Sequence, residues 1–240
     1  LEASLSSPWD LLAFEGDLLI AMAGPHQIWR FAPKANTVRL FAGDPRGAEL
    51  RRDADDLLDS AFAQPSGFAT DGTWIYVADS ESSAIVKLKP GGPVKTLAGG
   101  DPEKPRNLFH FGDEDGKGPG KRFQHPLGLA MVGDTLYVAD SYNHKIKSVD
   151  VKTGDVRSRF GTGIPGRADA PSQFDEPGGL SAHGDQADLV DWYSSFEGRP
   201  PVYLVHGEER AQQPLLTKLR SELHAPAEIA RYQQKIAIGA

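Results

Sequence analysis

The stretch Leu136–Asp150, LYVADSYNHKIKSVD, decides the fold, because it predicts two short β-strands joined by a polar turn. Tyr137 and Val138 are strong strand formers in the first run, and Ile146 and Val149 belong to the second. The polar residues between the two runs can bond their own backbone in a turn. With the neighbouring turns, the pattern extends to four strands: Leu127–Val132, Thr135–Asp140, Lys145–Asp150 and Asp155–Phe160.

The same pattern occurs twice more upstream. Residues 74–85, WIYVADSESSAI, match it closely, and residues 18–29, LLIAMAGPHQIW, form a more distant copy. Repeats of four short strands joined by loops of variable length are typical of β-propeller blades. A proline precedes each copy, and a fourth proline motif has no strand pattern after it: Pro8, Pro65, Pro126 and Pro177.

The repeats predict a mainly β fold, a partial β-propeller of about three four-stranded blades followed by a small α/β tail. Polar insertions at 43–62 and 99–122 separate the blades, and charged and apolar residues at 48–62 suggest a short helix. Closed propellers use about four to eight blades, so three blades cannot close in the usual geometry. Either the blades form an open arc or the tail covers the edge of the last blade. An exposed edge would favour pairing with another chain, so self-association or marginal solubility is expected in that case.

Longer motifs in the first 180 residues resemble one family. They are SPWDL, IAMAGPHQIW, FAQPSG, NLFHFGDEDG, QHPLG and FDEPGGL, together with the strands LYVADSYNHKIK and YVADSESSAI. They resemble NHL repeats and, more narrowly, the NHL-repeat-containing protein 2 family, in which a thioredoxin-like domain precedes an NHL propeller. The resemblance runs from about Ser6 to Leu180, and the thioredoxin-like part is absent from it. It implies a propeller scaffold that binds other proteins.

From Ser181 the pattern changes to an alternation of helices and strands. Apolar spacing predicts helices over 185–196 and 208–223, and apolar runs predict strands over 201–206 and 229–238. We therefore divide the chain into a propeller part, residues 1–180, and an α/β segment, residues 181–240. We interpret it as a chimera of two truncated pieces joined near Leu180.

The tail motifs SAHGDQADLVDW and VYLVHGEE resemble the C-terminal region of β-CASP metallo-β-lactamase RNA nucleases. The resemblance implies proton transfer to the leaving group by His183 and zinc ligation by His206. Those nucleases also need a His-x-His-x-Asp-His cluster, which this sequence lacks. Catalytic zinc usually takes three protein ligands, so we expect no cofactor and no enzymatic activity. The alternative is a zinc-dependent, RNase-like hydrolase remnant that uses His206.

Turn residues of the blades are the candidate binding residues. They could line a ligand face, or they could satisfy backbone groups within the blades. For His144, metal binding is weighed against packing onto the next blade. The candidates are Asp79, Ser80, Asp140, Ser141, Asn143 and His144.

Composition narrows the class of partner. The 240 residues carry a formal net charge of −7, which disfavours nucleic acid and leaves a protein as the expected partner. No cysteine is present, so thiol catalysis and cysteine-based zinc sites are excluded. The sequence contains no apolar run of about 18 residues, the length that would indicate a membrane span, so we expect a soluble protein. The compartment stays open, with the cytoplasm slightly favoured.

Overall fold

The computed structural model describes residues 5–101, 103–104, 106–117, 121–181, 190, 193–194, 201–204 and 209–230. Contacts divide the chain into two compact units, Leu1–Ala182 and His183–Ala240. None of the helices in the described part of the chain has the length and apolar character that a membrane crossing requires.

The larger unit contains three antiparallel sheets of four strands, each in up-and-down order. The first blade consists of β1 (Pro8–Phe14), β2 (Asp17–Met22), β3 (Gln27–Ala32) and β4 (Thr37–Ala42). The second blade consists of β5 (Pro65–Thr70), β6 (Ile75–Asp79), β7 (Ala84–Leu88) and β8 (Val94–Gly99). The third blade consists of β9 (Pro126–Val132), β10 (Thr135–Asp140), β11 (Lys145–Asp150) and β12 (Val156–Phe160). The predicted mainly β fold of partial propeller blades is confirmed.

The hydrophobic core lies between the blades. Successive side chains of a strand point to opposite faces of its sheet, so one face of the second blade packs on the first blade and the other on the third. Both faces of a blade are therefore apolar, unlike a sheet with one solvated side. The first cluster includes Leu19, Ala21 and Ile28 with Ile75, Val77 and Val86. The second includes Tyr76, Ala78 and Ile85 with Leu129, Leu136 and Val138.

Glycines let the first strands of adjacent blades approach closely. A Cβ on Gly67 would lie 2.1 Å from the carbonyl oxygen of Leu127, and one on Gly128 would lie 2.8 Å from the backbone nitrogen of Leu180. Residues 178–180 therefore lie against β9 of the third blade, in the same way that β9 lies against β5 of the second blade. The fourth proline motif has the position of a first strand, although residues 177–181 form no strand.

The short helix predicted at 48–62 is wrong. The insertion instead makes isolated bridges, in which the Arg52 N–H bonds the Ala61 carbonyl at 3.1 Å and the Ala54 N–H bonds the Val94 carbonyl at 3.0 Å. The second bond ties the insertion to the outer strand β8. Pairing with a sheet edge satisfies backbone groups that a helix would have paired internally.

The smaller unit contains β13 (Val202–Leu204), α1 (Glu209–Leu223) and β14 (Ala227–Ile229). The two strands pair in parallel, and Leu216 and Leu219 of the helix pack with Ala227. The predicted strand at 201–206 and helix at 208–223 are confirmed within the described residues. The predicted helix at 185–196 and the predicted strand at 229–238 lie mostly outside the described residues. His183 and His206 lie entirely outside them.

Candidate functional site

The two motif aspartates occupy equivalent, fully buried positions at the ends of β6 and β10. Asp79 Oδ1 accepts the Ala63 N–H at 2.7 Å, and Asp140 Oδ1 accepts the Gln124 N–H at 2.7 Å. Each donor lies just before the proline that starts its blade. Each carboxylate therefore ties the segment that leads into a blade to the second strand of that blade.

The other turn candidates are also engaged. The Ser82 hydroxyl donates to Asp79, and Asn143 Nδ2 donates to Asp140 at 2.8 Å. In addition, Ser141 Oγ donates to the Pro177 carbonyl at 2.7 Å. Ser80 Oγ donates to the Gln64 carbonyl at 2.9 Å. The structure thus brings the turn residues together as hydrogen-bonded anchors inside each blade.

His144 connects the third blade to the segment that follows it. It has a left-handed backbone, with φ of 51°, and its Nδ1 accepts the Glu176 N–H at 3.1 Å. A side chain at the same position of each earlier blade makes the same contact. Gln64 N–H donates to His26 Nδ1 at 3.2 Å, and His125 N–H donates to Ser83 Oγ at 3.4 Å.

Two buried cations accompany the buried aspartates, and neither follows from the sequence pattern. Lys147 is fully buried, with Nζ 3.2 Å from Asp140, 2.8 Å from Asp113 and over the Phe123 ring. Arg51 is buried in the second blade, where its guanidinium lies over the Phe62 ring. One feature of the sequence could have indicated the buried Lys147: it stands at a strand position where the other blades have Val86 and Trp29.

The cations decide the charge state of the buried cluster. Burial raises the pKa of both Asp79 and Asp140 to about 6, and the neighbouring Arg51 and Lys147 oppose that rise. Burial alone would lower the pKa of Lys147, but the carboxylates of Asp140 and Asp113 raise it. Both aspartates are therefore ionised at neutral pH.

The pKa of Asp79 predicts a pH dependence of stability. The folded protein holds this proton up to about pH 6, whereas the ordinary carboxyl value is 3.8, so stability from Asp79 falls as pH rises through that window. Because Asp79→Asn has no carboxyl group to titrate, its free energy of unfolding relative to the wild type should rise by about 2 kcal/mol between about pH 4 and about pH 7. Urea denaturation at the two pH values measures the difference.

Asp150→Asn is the control for this experiment, because its sign is opposite. Hydrogen bonds from Thr153 lower the pKa of Asp150, so its contribution to stability is lost as pH falls. The wild type should therefore lose its advantage over Asp150→Asn at low pH. Parallel pH curves for wild type and Asp79→Asn would contradict the assignment of a raised pKa.

Three loops meet around Asn143, and each carries at least one large exposed apolar side chain. Asn143 Nδ2 donates to the Gly112 carbonyl at 2.7 Å, and a Cβ on Gly163 would lie 3.7 Å from the Asn143 carbonyl oxygen. Tyr142 stacks on the His125 ring with centroids 4.5 Å apart. The large exposed side chains of these loops, called the loop surface below, are Phe109, Phe111, Tyr142 and Ile164, with exposed fractions of 82%, 43%, 48% and 62%.

A metal site is the remaining possibility from the sequence. Among the described residues, no group of three His, Cys, Asp or Glu side chains is placed so that it could hold an ion. The two histidines implied by the nuclease resemblance, His183 and His206, are outside the described part of the chain.

Two family profiles match parts of the chain. Residues 123–147 match the NHL repeat, and residues 175–230 match the Zn-dependent metallo-hydrolase RNA specificity domain, RMMBL. The first match includes β9, β10 and the start of β11 in the third blade. The second begins at the end of the propeller part and includes β13, α1 and β14.

Curated relatives resemble the propeller part. NHL repeat-containing protein 2 of Bos taurus is 44% identical over 210 residues, which cover 75% of this chain and 28% of the bovine protein. The Homo sapiens protein of that name is 43% identical, in an alignment that covers 78% of this chain and 29% of the human protein. Protein SUPPRESSOR OF QUENCHING 1, chloroplastic, of Arabidopsis thaliana is 44% identical, in an alignment that covers 74% of this chain and 17% of the plant protein. The chain thus spans under a third of the length of these relatives.

Solved structures share the fold at low sequence identity. A protein of unknown function from Bacteroides thetaiotaomicron has a TM-score of 0.53 and 17% identity, covering 72% of this chain and 42% of its own. An auxiliary nutrient binding protein from the same organism has a TM-score of 0.50 and 14% identity, covering 72% and 41%. The profile match and the relatives confirm the resemblance to NHL-repeat proteins, and the solved structures support the fold alone.

Proposed function

We propose that this chain, whose larger unit consists of blades of the NHL-repeat type, is a non-enzymatic scaffold that binds a protein partner through the loop surface. The observation that carries the proposal is the exposure of four large apolar side chains on loops that meet at one residue. Interfaces are enriched in aromatic side chains, and exposed apolar patches on loops often mark binding sites.

Hydrogen bonds and an ion pair tie two of the three loops to the buried Asp140, which supports a surface that is partly ordered before binding. Asn143 connects the insertion at Gly112 to the buried carboxylate of Asp140, and Lys147 connects that carboxylate to Asp113. Binding through a preorganised surface loses less conformational entropy than binding through a mobile loop. The net charge of −7 supports a protein partner over a nucleic acid.

The proposal predicts that polar substitutions on the loop surface remove specific partners. The triple variant Phe109→Ser, Phe111→Ser, Tyr142→Ser should lose proteins that the immobilised wild type retains from a cell extract. A partner identified in this way should then bind the purified wild type at least about tenfold more tightly than the variant, since aromatic anchors dominate interface energies. Quantitative mass spectrometry and titration calorimetry measure the two effects.

Leu58→Ser is the matched control, because Leu58 is an exposed apolar residue of the other insertion, 43% exposed. It should retain the same proteins as the wild type. Equal retention by the wild type and the triple variant would overturn the proposal, provided that circular dichroism shows both variants folded.

A second candidate function rests on the profile match of residues 175–230, a zinc-dependent hydrolase remnant that acts on RNA. It predicts about one zinc ion per chain, bound through His206 and lost in His206→Ala, because zinc prefers histidine nitrogen. Metal analysis by mass spectrometry and a nuclease assay with added zinc test it. Absence of both zinc and RNA cleavage would remove this candidate and leave the scaffold proposal unaffected.

A further inference from the structure

We propose that the uncovered face of the third blade binds an extended apolar strand of another polypeptide, which pairs with residues 178–180. This face, called the free face below, consists of Ala130, Val132, Tyr137, Ile146 and Phe160. It shares no residue with the loop surface, so the proposal does not depend on the scaffold function proposed above.

The free face repeats an interface that the chain already makes. On the second blade, the equivalent residues Tyr76, Ile85 and Ala98 are buried under the third blade. The strand registers align Ile85 and Ala98 with Ile146 and Phe160. Yet Phe160 on β12 is 54% exposed, and Val132 on β9, at the opposite edge of the same face, is 55% exposed. The third blade thus presents an inter-blade face that is exposed at Val132 and Phe160, whereas Ala130 and Ile146 within it are already buried.

The face forms the floor of an open groove. The groove has a volume of about 430 Å³, and Phe174, Pro177, Gly179 and Leu180 also line it. In the covered blades, the corresponding space is filled by apolar side chains of the next blade. Filling the groove with apolar side chains would remove exposed hydrophobic surface from water.

One wall of the groove is the backbone of residues 178–180. Residues 178–180 lie against Gly128 in the position of a first strand. In the described part of the chain, Gly178, Gly179 and Leu180 make no backbone hydrogen bond. Unpaired strand-like backbone beside an apolar groove is a template for strand addition, in which backbone pairing gives affinity and side-chain pockets give specificity.

The strands that cover the other two faces indicate the chemistry of the occupant. They are β6 and β10, which place Ile75 and Val77, or Leu136 and Val138, against the preceding blade. Both have aliphatic residues at alternate positions and no proline. The groove therefore fits an extended segment of that pattern.

A labelled peptide copying residues 73–80, TWIYVADS, tests the proposal by fluorescence anisotropy on the full chain. We expect saturable binding that weakens at least about tenfold in Phe160→Glu and in Val132→Glu, since each places a charge in the groove. The same peptide N-methylated at alternate residues should not bind, because it cannot form the backbone pairs.

Leu58→Glu is the control, since it places the same charge on an exposed apolar residue of the insertion at 43–62, and it should bind the peptide like the wild type. Absence of saturable binding, or equal binding by wild type and Phe160→Glu, would overturn the proposal. A dimer in analytical ultracentrifugation that dissociates in Phe160→Glu would also overturn it, because a second copy would then be the occupant. None of these outcomes depends on proteins captured by the loop surface.

Discussion

Replacing Lys147 by methionine should lower the free energy of unfolding by about 3–5 kcal/mol, as measured by urea denaturation near neutral pH. Methionine has a similar length but no charge, so the fully buried carboxylate of Asp140 would lose its cation. The same change removes the bond from Nζ to the Arg122 carbonyl at 3.0 Å and the ion pair with Asp113. The insertion before the third blade would therefore lose part of its attachment.

A surface pair provides the control. Lys152 and Asp134 form an ion pair in which both side chains are 71% exposed, so Lys152→Met should lower the free energy of unfolding far less than Lys147→Met does. The double variant Lys147→Met, Asp140→Asn should recover part of the loss, because the uncompensated charge is then gone. A loss for Lys147→Met as small as that for Lys152→Met would show that Lys147 is not needed to offset the buried charge.

The first blade shows the same position without charges. Met22 stands at the end of its second strand where the other blades have Asp79 and Asp140, and Trp29 stands where the third blade has Lys147. Buried ion pairs can often be replaced by apolar residues of similar volume at little cost, whereas removing one partner is costly. Each blade thus has either a buried aspartate with a buried cation beside it or apolar residues at these positions. None of the three blades has a buried aspartate without a cation.

The repeat motif was sufficient to predict the strands of the third blade, because alternating apolar runs and polar turns determine strands locally. The burial of Arg51 could not be predicted in this way. Its neighbours Arg52, Asp53 and Asp55 indicate a solvated helix, and only the stacking of the insertion on β8 buries it. Tertiary contacts of this kind override local propensity.

The backbone before each blade was equally hidden from the sequence. A residue before proline is usually extended, yet the residues at this position have positive φ, which is uncommon for residues other than glycine. The surrounding bonds to the aspartates, His26 and His144 hold these turns in place. The residues are Ser7, Gln64, His125 and Glu176, with φ of 49°, 61°, 53° and 45°.

The sequence predicted which residues belong to the candidate site, but it did not predict the contacts that they make. The sequence selected the turn residues around Asp79 and Asp140, but their hydrogen bonds depend on segments that come long before or after them in the chain. The exposed loop surface was not predicted residue by residue, since exposure of Phe109 or Ile164 depends on how irregular loops pack. Loops have no periodicity from which a buried face can be read.

The second large effect is expected at the contact between the second and third blades. Gly67→Ala should destabilise the protein by about 3 kcal/mol or more, because the new methyl group would lie 2.1 Å from the Leu127 carbonyl oxygen. That oxygen belongs to the backbone of β9 and cannot move away as a flexible side chain would. The two first strands must therefore separate, which loosens the core that includes Tyr76 and Leu136.

Gly179→Ala is the matched control, since nothing lies within 4 Å of its Cβ position, and its effect should stay within about 0.5 kcal/mol. Gly128→Ala should fall between the two, because the segment at 178–180 that it would contact forms no strand and can shift more easily. Urea denaturation gives the three free energies, and hydrogen exchange locates the loosened strands. Equal stabilities for Gly67→Ala and Gly179→Ala would contradict the close packing of the two blades and, with it, the premise that the third blade's free face repeats this interface.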